Sequence, residues 1–181
     1  LRRAAAPRWT RDETPPTAHG YLVLMWDVWR GNDFEARPLG SSNWFRRQDG
    51  PAEDSLDARL RHDYALDDDE KRELRRLQNG TISGICWIAA QLAHRIAGRQ
   101  AWRLTFFDAH GARVDLVDEL TAITERARAL YARQRRLGLA PTGVLRESAE
   151  AVDLYMRKAT ALDEAIDQLL NRVTAFADYA G

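Results

Sequence analysis

The chain has a single cysteine, Cys86, in 181 residues. That excludes an internal disulfide framework and fits a reducing compartment, so a cytoplasmic location is expected. Lysine is nearly as scarce. Of 27 basic residues only Lys71 and Lys158 are lysines, and the other 25 are arginines. Arginine grips phosphate and carboxylate bidentately, but codon bias produces the same composition, so the excess assigns no function alone. Net charge is lacking too: 27 acidic residues balance the basic ones. The balance excludes a uniformly basic nucleic-acid coat and leaves room for local patches. No charged start leads into a sustained apolar run, so no signal peptide is expected. A membrane helix needs about 20 apolar residues, and no such run exists. The greasiest stretch, HGYLVLMWDVWRG from His19 to Gly31, is unbroken only from Tyr21 to Trp26 before Asp27 intervenes.

Chemical signatures are missing as well. There is no Gly-x-Ser-x-Gly, no phosphate loop and no dinucleotide fingerprint. Asp108 and His110 share a turn and His62 precedes Asp63, but no histidine pair has helical ligand spacing. Asp67-Asp68-Asp69 lacks the glycine and distal glutamate of a calcium loop. Cys86 lies among apolar residues, which favours an inert thiol over a nucleophile. No catalytic residue, metal ligand or cofactor is therefore assigned, and a non-enzymatic protein is expected.

What is present reads as one helical domain. Hydrophobic residues make up 45% and charged residues 30%, ordinary values for a globular chain. Residues 1–18 form an arm with Arg2, Arg3, Arg8 and Arg11, broken by Pro7, Pro15 and Pro16. The stretch from His19 to Gly31 fits either a buried strand or a buried helix. Thr17 as a cap, Arg30 in a last turn and Gly31 beyond it favour the helix. Residues 19–66 form an aromatic-rich part in which 32–54 is a loop. Trp44 and Phe45 within that loop either pin it to the core or, with Trp29, offer partner-binding aromatics. Residues 67–100 hold short helices. Asp67-Asp68-Asp69-Glu70 opens one, with Leu74 and Leu77 as its stripe. Ile82, Ile85, Ala89, Leu92 and Ile96 mark the next, capped by Thr81, with His94 off the stripe on the rim or in solvent. In 101–116 the period changes to two, and Trp102, Leu104 and Phe106 followed by Asp108-Ala109-His110-Gly111 predict a minor β-hairpin.

The last 66 residues, 116–181, carry the firmest pattern. Apolar positions step by alternating threes and fours through Leu116, Leu120, Ile123, Ala127, Leu130, Gln134 and Leu137. They resume through Leu145, Ser148, Val152, Tyr155, Ala159, Leu162, Ile166, Leu169, Val173 and Phe176. The fold expected is mainly α: a long antiparallel helical hairpin, about 116–137 and 144–178, packed with shorter helices and a minor β-hairpin. Pairing residues whose numbers add to 282 sets Ala127 against Tyr155 and the polar Gln134 against Ser148. A slip would bury Gln134 unpaired, at a cost of about 1–3 kcal/mol. Met156, Ala165 and Leu170 widen the long helix's apolar face, and the stretch from His19 to Gly31 is the core-filling helix expected to lie there, against the long hairpin.

Two functional expectations follow. The leading one is a helical interaction or assembly module, a subunit or adaptor that meets another protein or a second copy through wide heptad faces. It presents a basic tip of Arg133, Arg135, Arg136 and Arg146, against an opposite end carrying Asp115, Asp118, Glu119, Asp163, Glu164 and Asp167. The alternative is nucleic-acid binding through that tip and the N-terminal arginine arm. Arg126 and Arg128 belong to the same basic cluster.

Overall fold

The structure, a computed structural model, describes residues 17–34, 56–100, 102 and 115–179. Most of the expected arm, most of the 32–54 loop and most of the β-hairpin at 101–116 lie outside the described residues. The fold is mainly α. The elements in chain order are β1 (Thr17–His19), α1 (Gly20–Arg30), α2 (Leu56–Arg61), β2 (Asp63–Ala65), α3 (Asp68–Asn79), α4 (Thr81–Gly98), α5 (Leu116–Leu137), α6 (Val144–Glu147) and α7 (Ala149–Asp178).

The greasy stretch is a helix, buried from Gly20 to Trp26. His19, not the expected Thr17, caps it: its Nδ1 accepts from the Leu22 N–H at 3.3 Å. Thr17 lies in β1 instead. Gly20 tolerates a helix because it is the first turn and because space forbids anything larger. A Cβ there would lie 2.5 Å from the Leu60 Cα. At the other end Gly31 is left-handed, with φ 83°. Its N–H donates to the Val28 carbonyl, and the Asn32 N–H donates to that of Asp27. This pair of bonds satisfies carbonyls that the helix end would otherwise orphan.

A two-stranded sheet does occur, at a place the periodicity did not indicate. β1 pairs antiparallel with β2, Ala18 opposite Tyr64 and His19 opposite Asp63. Three residues are too few to display an alternating pattern, and the partners are far apart in sequence. The sheet lays Ala18 and Tyr64 into the core.

α3 begins with a full capping box. Asp67 accepts from the Asp69 and Glu70 N–H groups at 2.9 and 2.8 Å, and Glu70 accepts from the Asp67 N–H at 3.0 Å. The Ser83 hydroxyl donates to the Leu77 carbonyl at 2.7 Å and fastens α3 to α4. Thr81 is the first residue of α4, and Gly80 at the cap position makes no side-chain bond. α4 is the hub of the molecule and packs against α1, α3, α5 and α7. Its small residues Ala89, Ala90 and Ala93 are all buried, so neighbouring helices close on it from several sides. The face of α7 is consequently covered by α4, not by α1 as the hydrophobicity suggested; α1 lies on α4 and α5. Ala165 and Leu170 pack there, but Met156 is 55% exposed.

α5 and α7 form the long hairpin, with two corrections. The second arm is not continuous from 144: Ser148 caps α7, accepting from the Ala151 N–H at 3.3 Å, and leaves α6 as a separate turn. The register also differs. Arg172 donates to Glu119 at 2.6 and 2.7 Å, and Arg126 donates to Gln168 at 2.9 Å. Those residue numbers add to 291 and 294, a slip of at least one heptad from 282. Burial agrees, since it covers Leu116 to Leu130 on α5 and Leu162 to Phe176 on α7. The slip costs nothing at Gln134, which is exposed. A polar seam residue enforces register only where it is desolvated.

Candidate functional site

The hairpin divides into a proximal half inside the core and a distal half that projects from it. In the distal half no residue of α5 from Tyr131 to Arg136 is buried, nor any of α7 from Ala149 to Ala161. The seam positions Leu137, Val152, Tyr155 and Ala159 are only half-buried, Leu154 is 45% exposed and Met156 is more exposed still. Two helices alone shield one narrow strip, so the flanks of both stay wet.

The four arginines expected at the tip lie on either side of the turn that joins the two arms. Arg133, Arg135 and Arg136 end α5, Arg146 lies in α6, and all four are exposed. None has an ion-pair or hydrogen-bond partner among the described residues. Arg126 and Arg128 are separated from them by their own bonds. Arg126 holds Gln168, and Arg128 donates to the Val28 carbonyl at 3.1 Å, fastening the end of α1 to α5. The acidic end is less concentrated than expected. Asp115 caps α5 through the Val117 and Asp118 N–H groups, and Glu119 is paired with Arg172. The register slip moves Asp163, Glu164 and Asp167 toward the middle of the hairpin.

Trp29 is half-buried and lies against Tyr131, ring centroids 5.4 Å apart and tilted by 46°. It joins α1 to α5 rather than standing free. Trp44 and Phe45 lie outside the described residues.

Further polar features lie away from the tip. An open recess of about 500 Å³ is lined by Trp26, Asp27, Arg30, Asp33, Tyr64 and Glu70, among others. Arg30 sits 3.9 Å over the Trp26 ring and is paired with Glu73, which holds the Glu73 carboxyl below its usual range. His94 is half-buried, as the rim reading has it, and its ring stacks on His19 with centroids 4.2 Å apart and planes 15° apart. Burial first, then the neighbouring His94, pushes His19 down to about 3. Stacked rings hold their nitrogens in nearly parallel planes, so they do not converge on one ligand. Cys86 is fully buried, and burial pushes its thiol up to about 12, so it carries no thiolate at neutral pH. Among the described residues no group of three His, Cys, Asp or Glu side chains could hold a metal ion, and no helix is long and apolar enough to cross a membrane.

Fold and site together define a mainly α protein with a projecting, basic-tipped helical hairpin. No protein family, no curated protein and no solved structure matches the chain.

Proposed function

We propose that this chain is a non-enzymatic helical interaction module, a subunit or adaptor that meets another protein or a second copy of itself along the distal flank of the hairpin. One observation carries the reading. The heptad spacing of α7 continues through Val152, Tyr155 and Ala159, yet these positions are half-buried, and Leu154 on one side of them and Met156 on the other stand exposed. A heptad row left half in water supports a further helical partner, because burying it recovers about 25 cal/mol per Å² of apolar surface. No cofactor enters this reading, and the single buried cysteine fits a cytoplasmic setting.

Light scattering on the full chain across a concentration series, with and without the double change Leu154→Asp and Met156→Asp, tests it. The expected result is association, with itself or with a partner isolated on the parent chain, that the double change abolishes without loss of helical circular dichroism. Association that survives the double change removes the flank from the proposal.

A further inference from the structure

Turns between packed helices are ordinarily polar, and the apex of this hairpin is not. Leu139 is 93% exposed, Val144 85% and Leu145 62%. Leu139 lies between two glycines with positive φ, Gly138 at 67° and Gly143 at 57°. Exposed Arg133, Arg135 and Arg136 end the adjoining helix, and exposed Arg146 follows the aliphatic pair. Between residues 131 and 150 these four arginines outnumber two glutamates, Glu147 and Glu150.

We infer that the apex is a peripheral docking tip for an anionic lipid surface, with Leu139, Val144 and Leu145 entering between headgroups that the surrounding arginines bind. Three observations select this occupant. The tip is a projection, exposed along both helices, so it offers no groove in which a peptide could lie. A symmetric contact between two tips would set the arginines of one copy against those of the other. Nucleic-acid phosphates would satisfy the arginines but leave three aliphatic side chains in water. An anionic interface satisfies both groups, since headgroup oxygens accept from guanidinium and the aliphatic side chains leave water. Basic charge and apolar insertion are each weak anchors and become effective in combination. The inference goes beyond the assembly reading and uses the apex, a different surface from the flank.

The test is sedimentation of the full chain with vesicles of phosphatidylcholine alone, or with about one-third phosphatidylglycerol. Binding at least tenfold stronger to the anionic vesicles is expected, weakening as salt rises. Arg135→Gln and Arg136→Gln should each reduce it on the order of fivefold. The triple change Leu139→Ser, Val144→Ser and Leu145→Ser leaves the charge untouched and should reduce it on the order of tenfold or more. All these side chains are exposed, and unchanged helical circular dichroism verifies that the variants fold. Leu139→Cys carrying an environment-sensitive dye gives a second measurement, because buried Cys86 will not label. Its emission should shift to the blue on anionic vesicles alone.

Absence of binding to anionic vesicles at low salt overturns the inference. So does undiminished binding by the triple-serine variant, which would reduce the contact to charge alone. Retention on duplex DNA without vesicle binding assigns the arginines to nucleic acid, and displacement by inorganic phosphate assigns them to a small anion; either overturns it. Loss of vesicle binding with association in light scattering intact would leave the assembly reading standing.

Discussion

Leu169 and Val173 follow the same heptad spacing on α7 as Val152 and Tyr155, yet the first pair is buried and the second is half exposed. The difference is not in the helix but in what lies beyond it. At the proximal end α4 covers α7 and α1 lies across α5, making a third layer over the hairpin. At the distal end α5 and α7 have little beyond each other among the described residues: Trp29 of α1 reaches Tyr131, and the short α6 packs on α7. Heptad spacing therefore says which side of a helix is apolar, and a third element decides how deeply that side is buried. The proximal half is built for stability, and the distal half is left available.

The contrast can be broken most sharply by truncating buried seam residues. Leu120→Ala or Leu169→Ala should lower the unfolding free energy by about 2–5 kcal/mol in urea titrations. Leu154→Ala should change it by about 0.5 kcal/mol or less. Equal losses at the two ends would erase the distinction.

Acid titration probes the proximal half next. His19 has a folded-state pKa of about 3 against an ordinary 6.5, so the unfolded chain takes up the proton first. The stability this group preserves is complete above about pH 6.5 and is lost as pH falls toward 3, by about 1.4 kcal/mol per pH unit at its steepest. Burial lowers His94 as well, which adds in the same direction. Because carboxylates titrate in part of the same window, the measurement is a difference. His19→Asn, which retains a cap acceptor, should unfold with a shallower pH slope than the parent; an identical slope would remove His19 from the account.

Smaller effects sharpen the joints between elements. Gly31→Ala forces a side chain onto a left-handed residue and places a Cβ 2.5 Å from the Arg128 Nη1. A loss of about 1–2 kcal/mol is expected, and Arg128→Ala should relieve part of it in a double-mutant cycle. Smallest of all is Glu119→Gln. Its ion pair with Arg172 is partly exposed, so the loss should stay below about 1 kcal/mol and shrink further at high salt.

Legibility in the sequence followed the range of the interactions. The start of α3 could be read because four acidic residues in a row open it, and the end of α1 because Gly31 directly follows the helix. Identification of His19 as a cap failed because histidine is not a usual capping residue. β1 and β2 were invisible because pairing of three-residue strands depends on partners that α1 and α2 bring together. The four tip arginines flank the turn near Pro141, a placement that follows from chain order alone. The exposed aliphatic apex is not legible, because Leu145 fits the heptad spacing and reads as seam.

By itself the sequence determined the long helices and the side of each that is apolar, since these depend on residues one or two turns apart. It also determined that the hairpin is basic at its turn. Tertiary structure alone decided the register of α5 on α7, the position of α4 as the hub and the emergence of the distal arm into solvent. Repeats of equal spacing fit one another in several registers. Choosing among them takes the combined burial of helices that meet only in three dimensions.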